Sequence, residues 1–263
     1  MKKDQHIIAC VETPDTADPV IAYATYCARR LNNKGVILLN VGHDGDNQWL
    51  KNYHLPYIGL KGDWSTAIEA LPTTFGGILA VAGVNPKARR TSITHPSTLL
   101  RAFAQCKTAF LTVNTNSKNI TPGWPLTTTF TVDHRRESKE KFLWASYMAR
   151  FFNSKLIAVS PEYHDSGLRQ QQYNNIRFLD KLFKPLCVDY TTATIPDSPT
   201  LSPDRAVLHK LHPDLHIAIT TDTRERDIID WVMGRPEKRL LQHSPETPIL
   251  FLNQRDDLYI LCD

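Results

Sequence analysis

Apolar positions along the chain fall into short runs, and the runs recur in the same order twice. HIIACVE (6–12) is an apolar stretch of strand length. TADPVIAYATYCARRLN follows, with Val20, Ala24, Cys27, Ala28 and Leu31 spaced to share one helix face. Asn32-Asn33-Lys34-Gly35 ends that helix, and VILLNV (36–41) reads as a second buried strand. A strand, helix and strand this close together make a parallel crossover unit. The second half repeats the unit. LTTTFTVD (126–133) is the strand, and ESKEKFLWASYMARFF is the helix, its apolar face expected through Phe142, Leu143, Ser146, Tyr147 and Phe151. Asn153-Ser154 breaks the helix, and KLIAVS (155–160) is the next strand.

The back ends of the halves match as well. GGILAVAG (76–83) is similar to LHIAITTD (215–222), and TAFLTVN (108–114) to TPILFLN (247–253). Helical segments, STLLRAFAQC and EKRLLQHS, lie between these strands. The middles differ. The first half has only DNQWLKNYHLPYIGL and STAIEAL, whereas the second has a long helical stretch, LRQQQYNNIRFLDKLFKPL, before CVDYTTATI. The join NTNSKNITPGWP (114–125) is polar and rich in turn formers. The expected organisation is therefore two tandem α/β domains, at 1–116 and 124–263, each a five-stranded, mostly parallel sheet flanked by helices. One continuous doubly wound domain is the alternative. QRDDLYILCD, beyond the last strand, predicts an extra edge strand.

Composition narrows the function classes. Hydrophobic residues make up 41% and charged residues 22% of the 263, the balance of a folded chain rather than a disordered one. The formal charge of +4 comes from scattered residues, without the basic stripe a nucleic-acid binder concentrates on one face. No run approaches the ~20 apolar residues that span a bilayer. The first residues lack a signal h-region, and the five cysteines show no CxxC spacing, so a cytoplasmic location with reduced thiols is expected.

A unit of this size and order, ending in strand, loop, helix, strand, resembles the universal stress protein family. The resemblance covers nearly the whole chain in two copies, most visibly in DPVIAYATYCARRLNNKGVILLNV and GRPEKRLLQHSPETPILFLN. It implies a Rossmann-like fold of the adenine nucleotide alpha hydrolase-like kind, with a nucleotide cleft at the carboxyl ends of the strands. ATP-binding members carry a glycine loop after strand four, G-x2-G-x9-G-[ST], whose glycines let the backbone reach the phosphates. The matching positions here are Gly83, Pro86, Pro96 and Ser97 in the first half, and Thr221, Arg224, Gly234 and Arg235 in the second. Pro86 and Pro96 have no N–H to donate, and Arg224 and Arg235 put bulk where the backbone should approach. The family's acidic residue at the end of strand one corresponds to Glu12 and Asp133. The resemblance, with these departures, implies a regulatory or binding module that has lost conventional ATP binding. ATP or another adenine nucleotide, held by substituted loop residues, is the alternative. It also implies pairing of the halves through TAFLTVN and TPILFLN as an intramolecular pseudo-dimer. A homodimer of whole chains and an unidentified protein partner remain open.

Other constellations carry less. Lys87, Arg89 and Arg90, with Thr91 and Ser92 as hydroxyl donors, form a basic patch beside Gly83 with no acid in the same stretch, the better of two anion-site candidates. The other cluster, Arg224, Arg226, Arg235, Lys238 and Arg239, is balanced by Glu225, Asp227, Asp230 and Glu237, as on a solvated helix. His209, His212 and His216 lack the spacing and companions of a zinc signature. No nucleophile elbow, H-E-x-x-H or P-loop is present, so no enzymatic activity is expected.

Overall fold

The computed structural model describes residues 5–32, 34–42, 47–116, 120–198, 201–220, 235–243 and 246–253. They fall into two compact units. The first takes the described residues up to Ile120 together with 235–253, and the second takes 121–220.

The first unit begins with β1 (His6–Cys10), α1 (Pro14–Arg30) and β2 (Gly35–Gly42). β1 is apolar on both faces because helices and neighbouring strands cover it, and Ile7 to Cys10 are all buried. Pro14 suits the first helical position of α1, Asp15 lies in its first turn, and Arg29 and Arg30 lie in its last, a charge order that matches the helix dipole. α1 buries Val20, Ala24, Cys27 and Ala28, which are the positions spaced for one face. A short 3-10 turn (Gln48–Tyr53) leads to β3 (Tyr57–Lys61), α2 (Trp64–Glu69), β4 (Gly77–Val84), α3 (Pro96–Ala102) and β5 (Ala109–Asn114). The strands run in the order β3-β2-β1-β4-β5, all parallel.

The second unit holds β6 (Thr127–Thr131), α4 (Ser138–Phe152), β7 (Lys155–Glu162), α5 (Ser166–Phe183), β8 (Tyr190–Pro196), α6 (Pro203–Leu211) and β9 (Leu215–Ile219). Its strands are parallel in the order β9-β6-β7-β8. The long polar stretch of the second half is α5, started by Asp165, whose side chain accepts from Leu168 N at 2.8 Å. The buried face of α4 is rotated from the expected one. Phe142, Ala145, Ser146, Met148 and Phe152 are buried, Leu143 is exposed, and Tyr147 and Phe151 are half-buried. The aromatic spacing of Trp144, Tyr147 and Phe151 reflects ring-on-ring contact along the helix, at 5.6 and 5.9 Å between centroids.

The remaining elements, α7 (Pro236–His243) and β10 (Ile249–Leu252), belong to the first unit. β10 runs antiparallel to β5, pairing Ile249 with Thr112, Leu250 with Leu111 and Phe251 with Phe110. The strands TAFLTVN and TPILFLN therefore meet edge to edge. Phe110 stacks between Phe103 and Phe251, with centroids 4.3 and 5.1 Å away. Asn253 Nδ2 closes the end of α3 by donating to the carbonyls of Phe103 and Cys106, at 2.6 Å each. QRDDLYILCD, the expected edge strand, lies outside the described residues.

Phe251 is fully buried in that aromatic stack. Phe251→Ala is expected to cost about 3–5 kcal/mol, read from urea unfolding of the whole chain. A loss below about 1 kcal/mol would mean that the β5–β10 ladder does not depend on the stack.

Candidate functional site

The carboxyl ends of the parallel strands differ between the units. In the first, a cavity of about 590 Å³ opens there, lined by Glu12 after β1, Asn40 to Gly42 of β2, Gly62 to Ser65 at the start of α2, and Thr91, Thr98 and Arg101 around α3. This size lies within the range of small-molecule sites. Asn40 is 8% exposed. Its Nδ2 donates to the carbonyls of Val11 at 2.8 Å and Glu12 at 3.1 Å, which satisfies the end of β1 from the neighbouring strand.

Glu12 is tied to the loop after β4. Ser92 Oγ donates to Glu12 Oε2, and Ile93 N donates to Oε1 at 3.4 Å. Thr94 N donates to Ser92 Oγ at 3.1 Å, and Thr94 Oγ1 lies 2.8 Å from it. The hydroxyl that the sequence placed in a basic patch thus serves the carboxylate. Arg89 and Arg90 are exposed, and Thr98 Oγ1 donates to the Arg90 carbonyl.

The loop after β4 packs against its own unit. Gly83 is buried, and a Cβ on it would lie 2.6 Å from Thr115 Cγ2 and 3.3 Å from Val20 Cγ2. The glycine therefore meets side chains of its own unit. Ser97 N, at the start of α3, donates to His95 Nδ1 at 3.2 Å, and Ser92 N donates to the Arg89 carbonyl. These amides are already used.

In the second unit, among the described residues, side chains gather at the end of β6. Asp133, just past β6, is 3% exposed and is held by Arg135, whose Nε and Nη2 donate to Oδ2 at 2.9 and 2.6 Å. Ser138 Oγ donates to Oδ1, and Lys141 Nζ stands 3.9 Å from Oδ2. Lys141, with no exposed surface, donates to Thr131 Oγ1 at 2.7 Å. Thr131 Oγ1 donates to Asp204 Oδ1 at 2.8 Å, where His216 Nε2 also sits at 3.1 Å. The other ring nitrogen of His216 is 2.9 Å from Thr129 Oγ1, so neither is left for a metal. Above this cluster α5 reaches in. Gln172 Nε2 donates to the carbonyls of Val132 and Pro161 at 3.1 and 2.9 Å, and Asn175 Nδ2 to those of Asp133 and Arg135 at 2.8 Å each.

The electrostatics follow from this packing. Burial alone would raise the Asp133 carboxyl, but the cations of Lys141 and Arg135 outweigh it and hold the group down to about 2. Asp204 is pushed up by burial and pulled further down by His216, Lys141 and Arg135, to a value below the usual carboxylate range. Burial lowers the Lys141 amine, opposed by Asp133 and Asp204.

Of the expected site residues that are described, Glu12 alone lines the cavity, with Thr91 from the neighbouring patch. Arg235 is half-buried immediately before α7. Thr221, Arg224 and Gly234 lie outside the described residues. Asn40, Arg101, Gln172 and Asn175 were not anticipated. A polar residue inside an apolar strand run marks Asn40, but nothing in the polar face of α5 distinguishes its inward amides.

Gly83→Ala is expected to cost about 1–3 kcal/mol in urea unfolding, partly recovered by Thr115→Ser, which removes the opposing methyl. Unchanged stability would show that the glycine is not there for packing. Because Asp133 and Asp204 are depressed, their stabilisation is complete above the unfolded carboxyl range near about pH 4 and is lost as pH falls toward about 2. Asp133→Asn is expected to flatten that loss by on the order of 2 kcal/mol, measured as urea midpoints between about pH 5 and pH 2. Parallel pH profiles for the two proteins would contradict the assignment.

No family model matches the sequence, and no curated protein matches it. Solved structures do. A universal stress protein from Archaeoglobus fulgidus DSM 4304 superposes with a TM-score of 0.67 at 9% identity, covering 97% of this chain and 98% of its own. A protein of Pseudomonas aeruginosa UCBPP-PA14, provisionally assigned as a universal stress protein, has a TM-score of 0.61 at 12% identity over 95% and 94%. A functionally unknown protein of P. aeruginosa PAO1 gives 0.63 at 13% identity over 97% and 94%. At such identities the likeness concerns the fold, and the chain has the α/β fold of the universal stress proteins over nearly its whole length.

Proposed function

We propose that the chain is a cytoplasmic binding or regulatory module of the universal stress protein kind, not an enzyme, in which only the first unit takes a ligand. One observation carries this reading. The carboxyl ends of β1 and β2 border an open cavity, whereas the end of β6 is occupied by Arg135, Gln172 and Asn175. In open α/β sheets the carboxyl ends are where ligands bind, so side chains seated over the end of β6 favour the first unit as the ligand-bearing one. A second hollow, of about 550 Å³, lies at the opposite, amino ends of β6, β7 and β8, beside Thr127, Lys155 and Tyr190, away from the carboxyl ends where ligands of open α/β sheets bind.

The loop after β4 supports loss of conventional ATP binding. Pro86 and Pro96 lack N–H groups, the Ser97 amide is used by His95, and Gly83 is covered by Val20 and Thr115. The antiparallel ladder of β5 and β10 supports the intramolecular pseudo-dimer, because it joins the last strands of the two sequence repeats. Among the described residues no helix is long and apolar enough to cross a membrane. The second reading, an adenine nucleotide held without the glycine loop, draws on the same cavity and on exposed Arg89 and Arg90 next to Thr91 in its wall.

Calorimetry of the intact chain with ATP, AMP and cyclic AMP separates the two. The expected result is no saturable heat for ATP up to about millimolar concentration, which corresponds to less than about 4 kcal/mol of binding free energy. Saturable ATP binding that disappears in Glu12→Gln would replace the first reading with the second.

A further inference from the structure

The chemistry of the cavity wall says more about the ligand. Both hydrogens of the Asn40 amide are committed to the Val11 and Glu12 carbonyls, and this pattern fixes which way the amide faces, because its oxygen would be repelled there. Oδ1 is consequently held against Gly42, whose Cβ position lies 3.7 Å from it, on the wall of the cavity. It accepts no hydrogen bond among the described residues. Held in one orientation by its two donated bonds and open to the cavity rather than to a protein donor, Oδ1 is a preorganised acceptor for a ligand donor.

The neighbouring groups have the same polarity. Glu12 brings two carboxylate oxygens that each receive one protein donor and keep further acceptor capacity. Thr98 has given its hydroxyl proton to the Arg90 carbonyl. Asp63 is spent as the cap of α2, accepting from Thr66 N at 3.1 Å and Thr66 Oγ1 at 2.9 Å. Across the cavity Arg101 is exposed and makes no ion pair or side-chain hydrogen bond among the described residues. The wall is therefore acceptor-rich and anionic on the β1–β2 side and cationic on α3.

We propose that this cavity takes a small zwitterion, its primary ammonium on Asn40 Oδ1 and the Glu12 carboxylate and its carboxylate on Arg101. This rests on the reading of the cavity as the ligand site. An ammonium offers three donors and no acceptor, which answers that wall, and a guanidinium matches a carboxylate bidentately. A purine ring turns one amino group and several ring acceptors toward the same wall, so its acceptors face Asn40 Oδ1 and Glu12 unfavourably.

The test is calorimetry of the full chain with ω-amino acids from glycine to 6-aminohexanoate, each compared with its N-trimethyl form. At least one chain length is expected to bind saturably and to weaken at least about tenfold on trimethylation, in Glu12→Gln and in Arg101→Gln, the loss expected for one charge-assisted contact. Arg101 is exposed, so its variant keeps the fold and is compared with wild type by circular dichroism. Equal affinity of the trimethyl forms, indifference to Arg101→Gln, or no binding by any member of the series would overturn the proposal. AMP run alongside distinguishes the failures. AMP binding that is lost in Glu12→Gln, with no zwitterion bound, keeps the cavity as a ligand site and removes this ligand class. Silence from both AMP and the series removes the site itself.

Discussion

A parallel strand that ends inside a protein leaves carbonyl groups beyond its last ladder bond, and those carbonyls must find donors. Both units meet that requirement with side-chain amides, and the choice of amide decides what the unit can do. In the first, Asn40 reaches across from β2 to the Val11 and Glu12 carbonyls and leaves the space above them empty. In the second, Gln172 and Asn175 come down from α5 onto the Val132, Asp133, Arg135 and Pro161 carbonyls and occupy that space. One solution is made within the sheet and borders a cavity, while the other is made from a helix laid over the strand end.

The charged interior of the second unit follows from the seating of α5. With α5 seated, Asp133 is cut off from water, and a buried carboxylate persists only where cations and donors surround it. Arg135, Ser138 and Lys141 supply them, and Lys141 in turn is balanced through Thr131 and Asp204. Threonines make this possible in a strand that would otherwise be apolar. Thr128, Thr129 and Thr131 of β6 are buried, yet their hydroxyls are bonded to Ser154, His216 and Asp204. A polar strand can be a core strand when every hydroxyl has a partner.

The repeat was legible in the sequence because strands buried on both faces read as apolar runs: β1 and β5 lie inside the runs that predict them, β2 exceeds its run by one residue at each end, and β4 exceeds its run by Val84. The matched strands TAFLTVN and TPILFLN were legible for the same reason, although only the structure brings Phe110 against Phe251. The face of α4 was misplaced because Leu143, Tyr147 and Phe151 are as apolar as the residues it buries, so spacing alone could not choose between two overlapping stripes. The site was less legible still. Glu12 and Asp133 were found as equivalent strand-end carboxylates, but their environments diverge through residues distant in sequence. Ser92 meets one, while Arg135 and the inward amides of α5 close over the other. A helix written LRQQQYNNIRF looks solvated throughout, and its two buried amides carry no mark that a period of 3.6 can show.

The asymmetry of the two ends is the central claim, and a crystal structure of the protein purified from its own host tests it most directly. The account predicts small-molecule density bounded by Glu12, Asn40 and Arg101, with Asp133 still held by Arg135 and the amides of α5 in place. Density against Asp133, with Arg135, Gln172 and Asn175 displaced, would contradict it.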